Sequence, residues 1–310
     1  MKRLLKNELF KTGIKIGFAV LAFWFLSKKL DYEQLPELFY SMNPWMLSLA
    51  IVLQFASIAI AAYRWKFVMR SLGFGENFNF YQTLYFKGFF FSQALPGSVG
   101  GDAIRLLALK DAGYKVGDSL YGIFIDRVVG LTGLLIISLF ALFFAPAYLT
   151  EPIKYTVFMI SFGGLVGFIG LLFVHKLFDF TKMPKLRILG ELSRRFYVVY
   201  EGAYKTTKQV LLSVAIHLLS LLCVYSISLS ANLGVEFGAF LCLMPLVILL
   251  TILPISFAGW GVREGAMVGL FSMSGASKEA IMAVSIAYGV ILIASSLPGF
   301  FAWIKSKNIA

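Results

Sequence analysis

Only 14% of the 310 residues are charged, and cysteine and histidine occur twice each. A soluble globular chain carries roughly 25% charge, so this shortage argues against a soluble protein, and it excludes a disordered or coiled-coil chain. Cys223 and Cys242 both lie in apolar runs, with no CxxC or zinc spacing and no disulfide framework. His175 and His217 have no second ligand at metal spacing, so no metal and no cofactor are expected, and each histidine reads as structural. No Walker loop occurs, nor a GxGxxG within a βαβ pattern, which argues against ATP-driven chemistry by this chain alone. Gly13–Leu26 is apolar, but no small-residue cleavage site follows it, so a removed signal peptide is not expected.

Apolar residues take up the space that charge leaves. They make up 59% of the chain, mean hydropathy is +0.82, and phenylalanine alone occurs 31 times. This much apolar surface requires lipid around it, so the chain reads as an all-α polytopic membrane protein. About 20 apolar residues cross the hydrocarbon core. Full spans are expected near Thr12–Leu26, Trp45–Tyr63, Tyr121–Phe144, Tyr155–Val174, Val210–Ala231 and Ala280–Ile304. Asn43-Pro44 is a cap and first-turn pair for the second of these. Two further runs are broken: Phe80–Val99 at Pro96-Gly97, and Phe240–Phe257 at Pro245 and Pro254, followed by the short run Ala266–Met273.

The net charge of +12 is segregated by loop. Segregation of this kind reports topology and contact with anionic lipid headgroups; no nucleic-acid partner is expected. The N-terminus, segment 63–79 (Arg64, Lys66, Arg70), segment 175–209 (eight basic, three acidic) and the C-terminus are basic. Segments 28–43, 146–154 and 232–238 are acidic or nearly uncharged. The positive-inside rule places the first group, with both termini, in the cytoplasm of a cell-membrane protein. Each broken run then enters and leaves on one side. The expected fold is one integral membrane domain over 1–310, with about six spanning helices and two re-entrant hairpins dipping in from opposite faces. Its halves are about 1–150 and 151–310, and 175–209 is a cytoplasmic basic connector.

An internal repeat carries the same message. Leu95-Pro96-Gly97-Ser98-Val99-Gly100-Gly101-Asp102-Ala103-Ile104-Arg105 and Leu253-Pro254-Ile255-Ser256-Phe257-Ala258-Gly259-Trp260-Gly261-Val262-Arg263 share L-P-x-S-x-x-G-x-x-x-R, at an offset of 158. Three spans per half is an odd number, which makes the repeats inverted, a transporter architecture. Pro96 ends a helix. Gly97, Gly100 and Gly101 permit unusual backbone angles and close approach of a ligand. A helix restarting near Asp102 presents free N–H groups, and Arg105 sits one turn inside it with forked donors suited to phosphate. Ser98 in the first copy and Ser256, Gly259, Gly261 and Arg263 in the second follow in the same order. Two readings stay open. The arginines bind a phosphate headgroup, or Arg105-Asp102 and Arg263-Glu264 are ion pairs that fix each hairpin.

Asp126, Arg127 and Lys87 lie inside apolar runs, where charge is costly and faces a cavity or a partner. Asp126 and Arg127 point about 100° apart on a helix, so each requires a partner on another helix. Candidates are Lys87 or Arg105 for Asp126, and Asp102 for Arg127. Lys87 can alternatively snorkel to the membrane edge, and Leu192–Tyr200 can lie on the membrane surface.

The 95–105 stretch resembles the LPG-x-x-GGD-x-x-R signature of the lysylphosphatidylglycerol synthase transmembrane-region family. Asp126-Arg127 resembles its following acidic-Arg position, and Gly259-Trp260-Gly261-Val262-Arg263-Glu264 its second G-x-G-x-R-E signature. The resemblance runs in order along nearly the whole chain. That family includes the lipid-flipping membrane half of multiple peptide resistance factors, and standalone membrane proteins of unassigned substrate. It implies a flippase for an anionic lipid, either a phospholipid or a polyprenyl-linked lipid. It implies no lysyl transfer, because no soluble aminoacyl-transfer domain is present in these residues. The alternatives are a membrane-embedded transferase using Asp102, Asp126 or Glu264, and a non-catalytic subunit of a lipid or glycan assembly complex. Partners beyond lipid would be a second copy of the chain or such assembly enzymes.

Overall fold

The computed structural model describes residues 34–94, 99–180, 186–252, 256 and 258–307. The first expected span, together with Pro96, Gly97, Ser98, Pro254 and Phe257, lies outside them. Among the described residues there are eleven α-helices and no strand. In chain order they are α1 (Gln34–Ser41), α2 (Pro44–Ser71), α3 (Phe78–Ala94), α4 (Val99–Asp111), α5 (Val116–Ala141), α6 (Glu151–Leu177), α7 (Arg187–Tyr200), α8 (Ala203–Ser230), α9 (Phe237–Ile252), α10 (Val262–Phe271) and α11 (Lys278–Lys307). Five of them are long and apolar enough to span: α2, α5 with its 3-10 extension to Phe144, α6, α8 and α11. These coincide with the second to sixth expected spans. The chain is an all-α polytopic membrane protein. Helix α6 shows why lipid is needed, since Met159, Phe162, Val166, Ile169 and Phe173 are all exposed.

Asn43 starts α2 as expected, its Oδ1 accepting from Trp45 N (2.9 Å) and Met46 N (3.4 Å) with Pro44 behind it. The helix continues past Tyr63 to Ser71, so Arg64, Lys66 and Arg70 are helical and not part of a loop. The apolar face explains this: Ile58, Ala61, Trp65, Val68 and Met69 recur at helical spacing and are all buried. Helix α2 pairs antiparallel with α8. Ser230 Oγ donates to Asn43 O (3.1 Å) at one end, Ser57 Oγ to Ile216 O (3.0 Å) further in, and Phe67 meets Tyr204 (6.4 Å) at the other end.

Both broken runs double back. In the first, the Phe74 ring beside the start of α3 meets Tyr114 beyond the end of α4 at 4.5 Å, and Gly75 N donates to the Tyr114 hydroxyl. Gly88 of α3 and Gly101 of α4 touch backbone to backbone, where any Cβ on Gly101 would collide with the Gly88 carbonyl. In the second, Phe240 in α9 meets Phe271 in α10 at 4.7 Å. Pro245 sits inside α9 without ending it, and the helix runs on to Ile252. The hairpins open at opposite ends of α5. Tyr114 precedes its first turn, whereas Cys242 donates to Ala141 O in its last turn (3.3 Å). Gly299 of α11 presses on the backbone of Phe86 in α3, locking the last helix onto the first hairpin. Small residues at such crossings are how membrane helices pack without a hydrophobic driving force.

The basic connector is more structured than a solvated loop. Within it α7 is amphipathic and buries Ser193, Phe196 and Val199 against α5 and α6; Phe168 meets Phe196 at 5.2 Å. Its polar side carries Arg195, bonded to Asp118 (2.6 Å) and Glu191 (2.7 Å).

Candidate functional site

Two arginine centres and one cavity lie among the apolar clusters. The first centre joins α2, α4 and α5. Asp126 is 2% exposed. Arg64 of α2 grips it with Nε and Nη2 on Oδ1 (3.3 and 2.9 Å), and Nη2 also donates to its carbonyl (3.1 Å). Arg64 Nη1 donates to Ser213 Oγ on α8 (3.1 Å). Arg105 approaches the other carboxylate oxygen of Asp126 at 3.7 Å and its own neighbour Asp102 at 3.9 Å. Arg127 Nε donates to Asp102 Oδ2. The guanidinium of Arg105 is stacked between Tyr85 (4.0 Å) and Trp65 (4.9 Å).

The pairings Asp126–Arg105 and Arg127–Asp102 are therefore present. A further ion-pair partner, outside the expected pairs, is Arg64, whose basic segment 63–79 reads as a loop in the sequence but is helical. Lys87 lines a surface pocket with Glu76, Asn77 and Thr83. Among the described residues three arginines meet two aspartates here.

The second centre is built into the turn that leads to α10. Ala258, Gly259 and Gly261 all have positive φ (48°, 82° and 82°). For an alanine this conformation costs about 1–2 kcal/mol, and strain of this kind gathers at functional turns. Glu264 is fully buried, and its Oε2 accepts from Gly261 N in a capping arrangement. Its Oε1 accepts from Arg263 Nη2 (2.7 Å), Arg263 Nε (3.0 Å) and Ser285 Oγ (3.0 Å). Arg263 is stacked on Trp260 (4.6 Å) and lies near Tyr288 (5.7 Å). The repeat-related Arg105 and Arg263 thus share a Trp–Tyr environment and a carboxylate partner, although the carboxylates come from different places.

Between the hairpins lies a cavity of about 310 Å³, which is at the lower end of ligand-pocket sizes. Gln54, Ser57, His217 and Ser220 line it from α2 and α8. Tyr85, Ser92 and Gln93 line it from the first hairpin, and Thr251, Ser256, Gly259 and Arg263 from the second. Gln54 Oε1 and Ser256 Oγ are buried with no hydrogen-bond partner among the described residues. His217 Nε2 donates to Gly130 O (3.0 Å). Arg105 is not on the wall, because Tyr85 stands between it and the cavity. Of the expected site residues, Ser256, Gly259 and Arg263 line the cavity. Asp102, Arg105, Asp126 and Arg127 form the first centre, with Gly100 and Gly101 in the opening turn of α4. Gly261 and Glu264 hold the second turn. No cluster of three or more metal-ligating side chains occurs among the described residues.

Residues 13–299 match the family described as Lysylphosphatidylglycerol synthase TM region. The chain belongs to this family. It is also similar to the UPF0104 membrane protein MJ1595 of Methanocaldococcus jannaschii, with 23% identity and 98% of each chain covered. The family match spans both arginine centres and every helix that lines the cavity. The LPG synthase TM region here gathers Asp102, Arg105, Asp126 and Arg127 into the first centre and Arg263 and Glu264 into the second.

Proposed function

We propose that this chain translocates an anionic lipid, a phospholipid or a polyprenyl-linked lipid, across a cell membrane. The observation that carries this reading is the cavity between the hairpins, which has one arginine and two orphaned polar groups on its walls. A buried polar atom without a partner costs about 1–3 kcal/mol, so a site that keeps two of them is built to bond something that comes and goes. A headgroup with phosphate and hydroxyl oxygens supplies both donors and acceptors. On this reading the hairpins are re-entrant halves of an inverted repeat, and exposing the cavity to alternate sides moves the headgroup while the acyl chains stay in lipid. Both termini face the cytoplasm. Asp102, Asp126 and Glu264 are each held by arginine, which favours transport over a transferase needing one of them as a free base.

The test is reconstitution into liposomes with a panel of fluorescent lipids, one leaflet being quenched chemically. Anionic lipids should cross faster than in protein-free liposomes, and Arg263→Lys should reduce that rate strongly at unchanged protein abundance, because Lys cannot make a forked bond to phosphate. Rates equal to protein-free liposomes for every lipid, or normal transport by Arg263→Lys, would remove this reading.

A further inference from the structure

A second basic feature lies away from both arginine centres. At one end of the α2–α8 pair, Tyr63, Lys66, Phe67 and Arg70 of α2 face Tyr204, Lys205 and Lys208 of α8 around a concavity of about 450 Å³. Lys208 is held in place: its Nζ sits 4.4 Å from the Phe67 ring centre and 5.1 Å from that of Tyr63, and it donates to the Tyr204 hydroxyl (3.2 Å). Lys205 pairs with Glu201 at 3.8 Å. Among the described residues no carboxylate pairs with Lys66, Arg70 or Lys208. Four cations thus surround one hollow with a single acidic neighbour.

The placement identifies the occupant. Twenty residues from Pro44 carry α2 about 30 Å, the thickness of the hydrocarbon core, and end at Tyr63. The hollow begins there, at headgroup depth. Tyr63 and Tyr204 are 39% and 71% exposed, as interfacial tyrosines are. The cavity of the translocation site lies on the opposite face of α2, because Gln54, Ser57, Ile58 and Ala61 share one stripe and Tyr63, Lys66, Phe67 and Arg70 another.

We infer that this hollow is a binding site for the phosphate of an anionic bilayer lipid that remains on the periphery and is not the cargo. Lys208, Lys66 and Arg70 hold the phosphate oxygens, while the tyrosines cover the glycerol region. A net-negative headgroup fits; a choline headgroup would bring its own cation against three others.

Native mass spectrometry on delipidated full-length protein in uncharged detergent tests this, with phosphatidylglycerol, phosphatidylcholine and inorganic phosphate as probes. Phosphatidylglycerol should bind about tenfold or more tightly relative to phosphatidylcholine. The triple variant K66Q/R70Q/K208Q should lose about tenfold in that affinity. A control triple at exposed positions near the same end, K110Q/K115Q/R194Q, should lose less than about twofold. Equal losses in the two triples would mean diffuse surface charge and overturn the proposal. So would inorganic phosphate that binds with the same triple-variant dependence and displaces the lipid, because the site would then belong to a soluble anion. Thermal unfolding of both triples at the wild-type temperature confirms that folding is intact. The outcome is independent of translocation, so failure of one reading leaves the other standing.

Discussion

Arg64→Met removes one charge from the most enclosed part of the first centre and keeps most of the side-chain volume. Arg64 and Asp126 side chains are 4% and 3% exposed. The substitution deletes both donors to Asp126 Oδ1 and leaves Arg105, 3.7 Å from Oδ2, as the remaining counter-charge. Removing one partner of a buried pair costs about 3–5 kcal/mol. The residual Arg105 contact sets the lower end, so about 3 kcal/mol is expected, roughly two powers of ten in the folded ratio. Scaled to a chain of this length, the melting temperature falls by about 4–5 °C. The assay is thermal unfolding in detergent of Arg64→Met, Asp126→Asn and the double variant. Because the charge stranded by one change is removed by the other, the double variant should lose at least about 2 kcal/mol less than the sum of the singles. Additive losses, or an unfolding temperature unchanged in Arg64→Met, would refute the view that this pair holds α2 to α5.

Four further outcomes follow from the geometry. Gly101→Ala should push the arms of the first hairpin apart, because the new Cβ collides with the Gly88 carbonyl and Ser92 Oγ; loss of monodisperse protein by size-exclusion chromatography would show it. Gln54→Leu and Ser256→Ala remove the orphaned polar atoms of the cavity, so each should leave the melting temperature unchanged or raised while lipid translocation falls. Arg105→Lys should lower transport per folded molecule less than Arg263→Lys, since Tyr85 screens Arg105 from the cavity. Arg194→Cys, exposed on α7, should react with a membrane-impermeant thiol reagent only after permeabilisation of cells; both native cysteines are buried, so labelling of intact cells would reverse the proposed orientation.

The spanning helices were legible because length and hydropathy alone decide them, and α2, α5, α6, α8 and α11 fall where the apolar runs fall. The Arg127–Asp102 pair was legible because adjacent charges on a helix must seek partners elsewhere. Arg64 was not, because a basic cluster at the end of an apolar run reads as a loop. The signal against that reading was periodic: Ile58, Ala61, Trp65 and Val68 continue the buried stripe straight through it. The aromatic stacking on Arg105 and Arg263 had no local signature, since Trp65 and Tyr85 are 40 and 20 residues away from Arg105. Gln54 and His217 were single polar letters in long apolar helices, and only their convergence across the α2–α8 pair makes a cavity wall.

The contact between Gly299 and Phe86 has a consequence for biogenesis. The first hairpin is made early, but the helix that packs on its backbone is synthesised 213 residues later. At about 5–20 residues per second the ribosome needs roughly 10–40 s to deliver it. During that interval α3 stands without the α11 backbone that packs against Phe86 and Lys87. A ribosome stalled before α11 should therefore leave a protease-sensitive first hairpin, and release of the completed chain should close it.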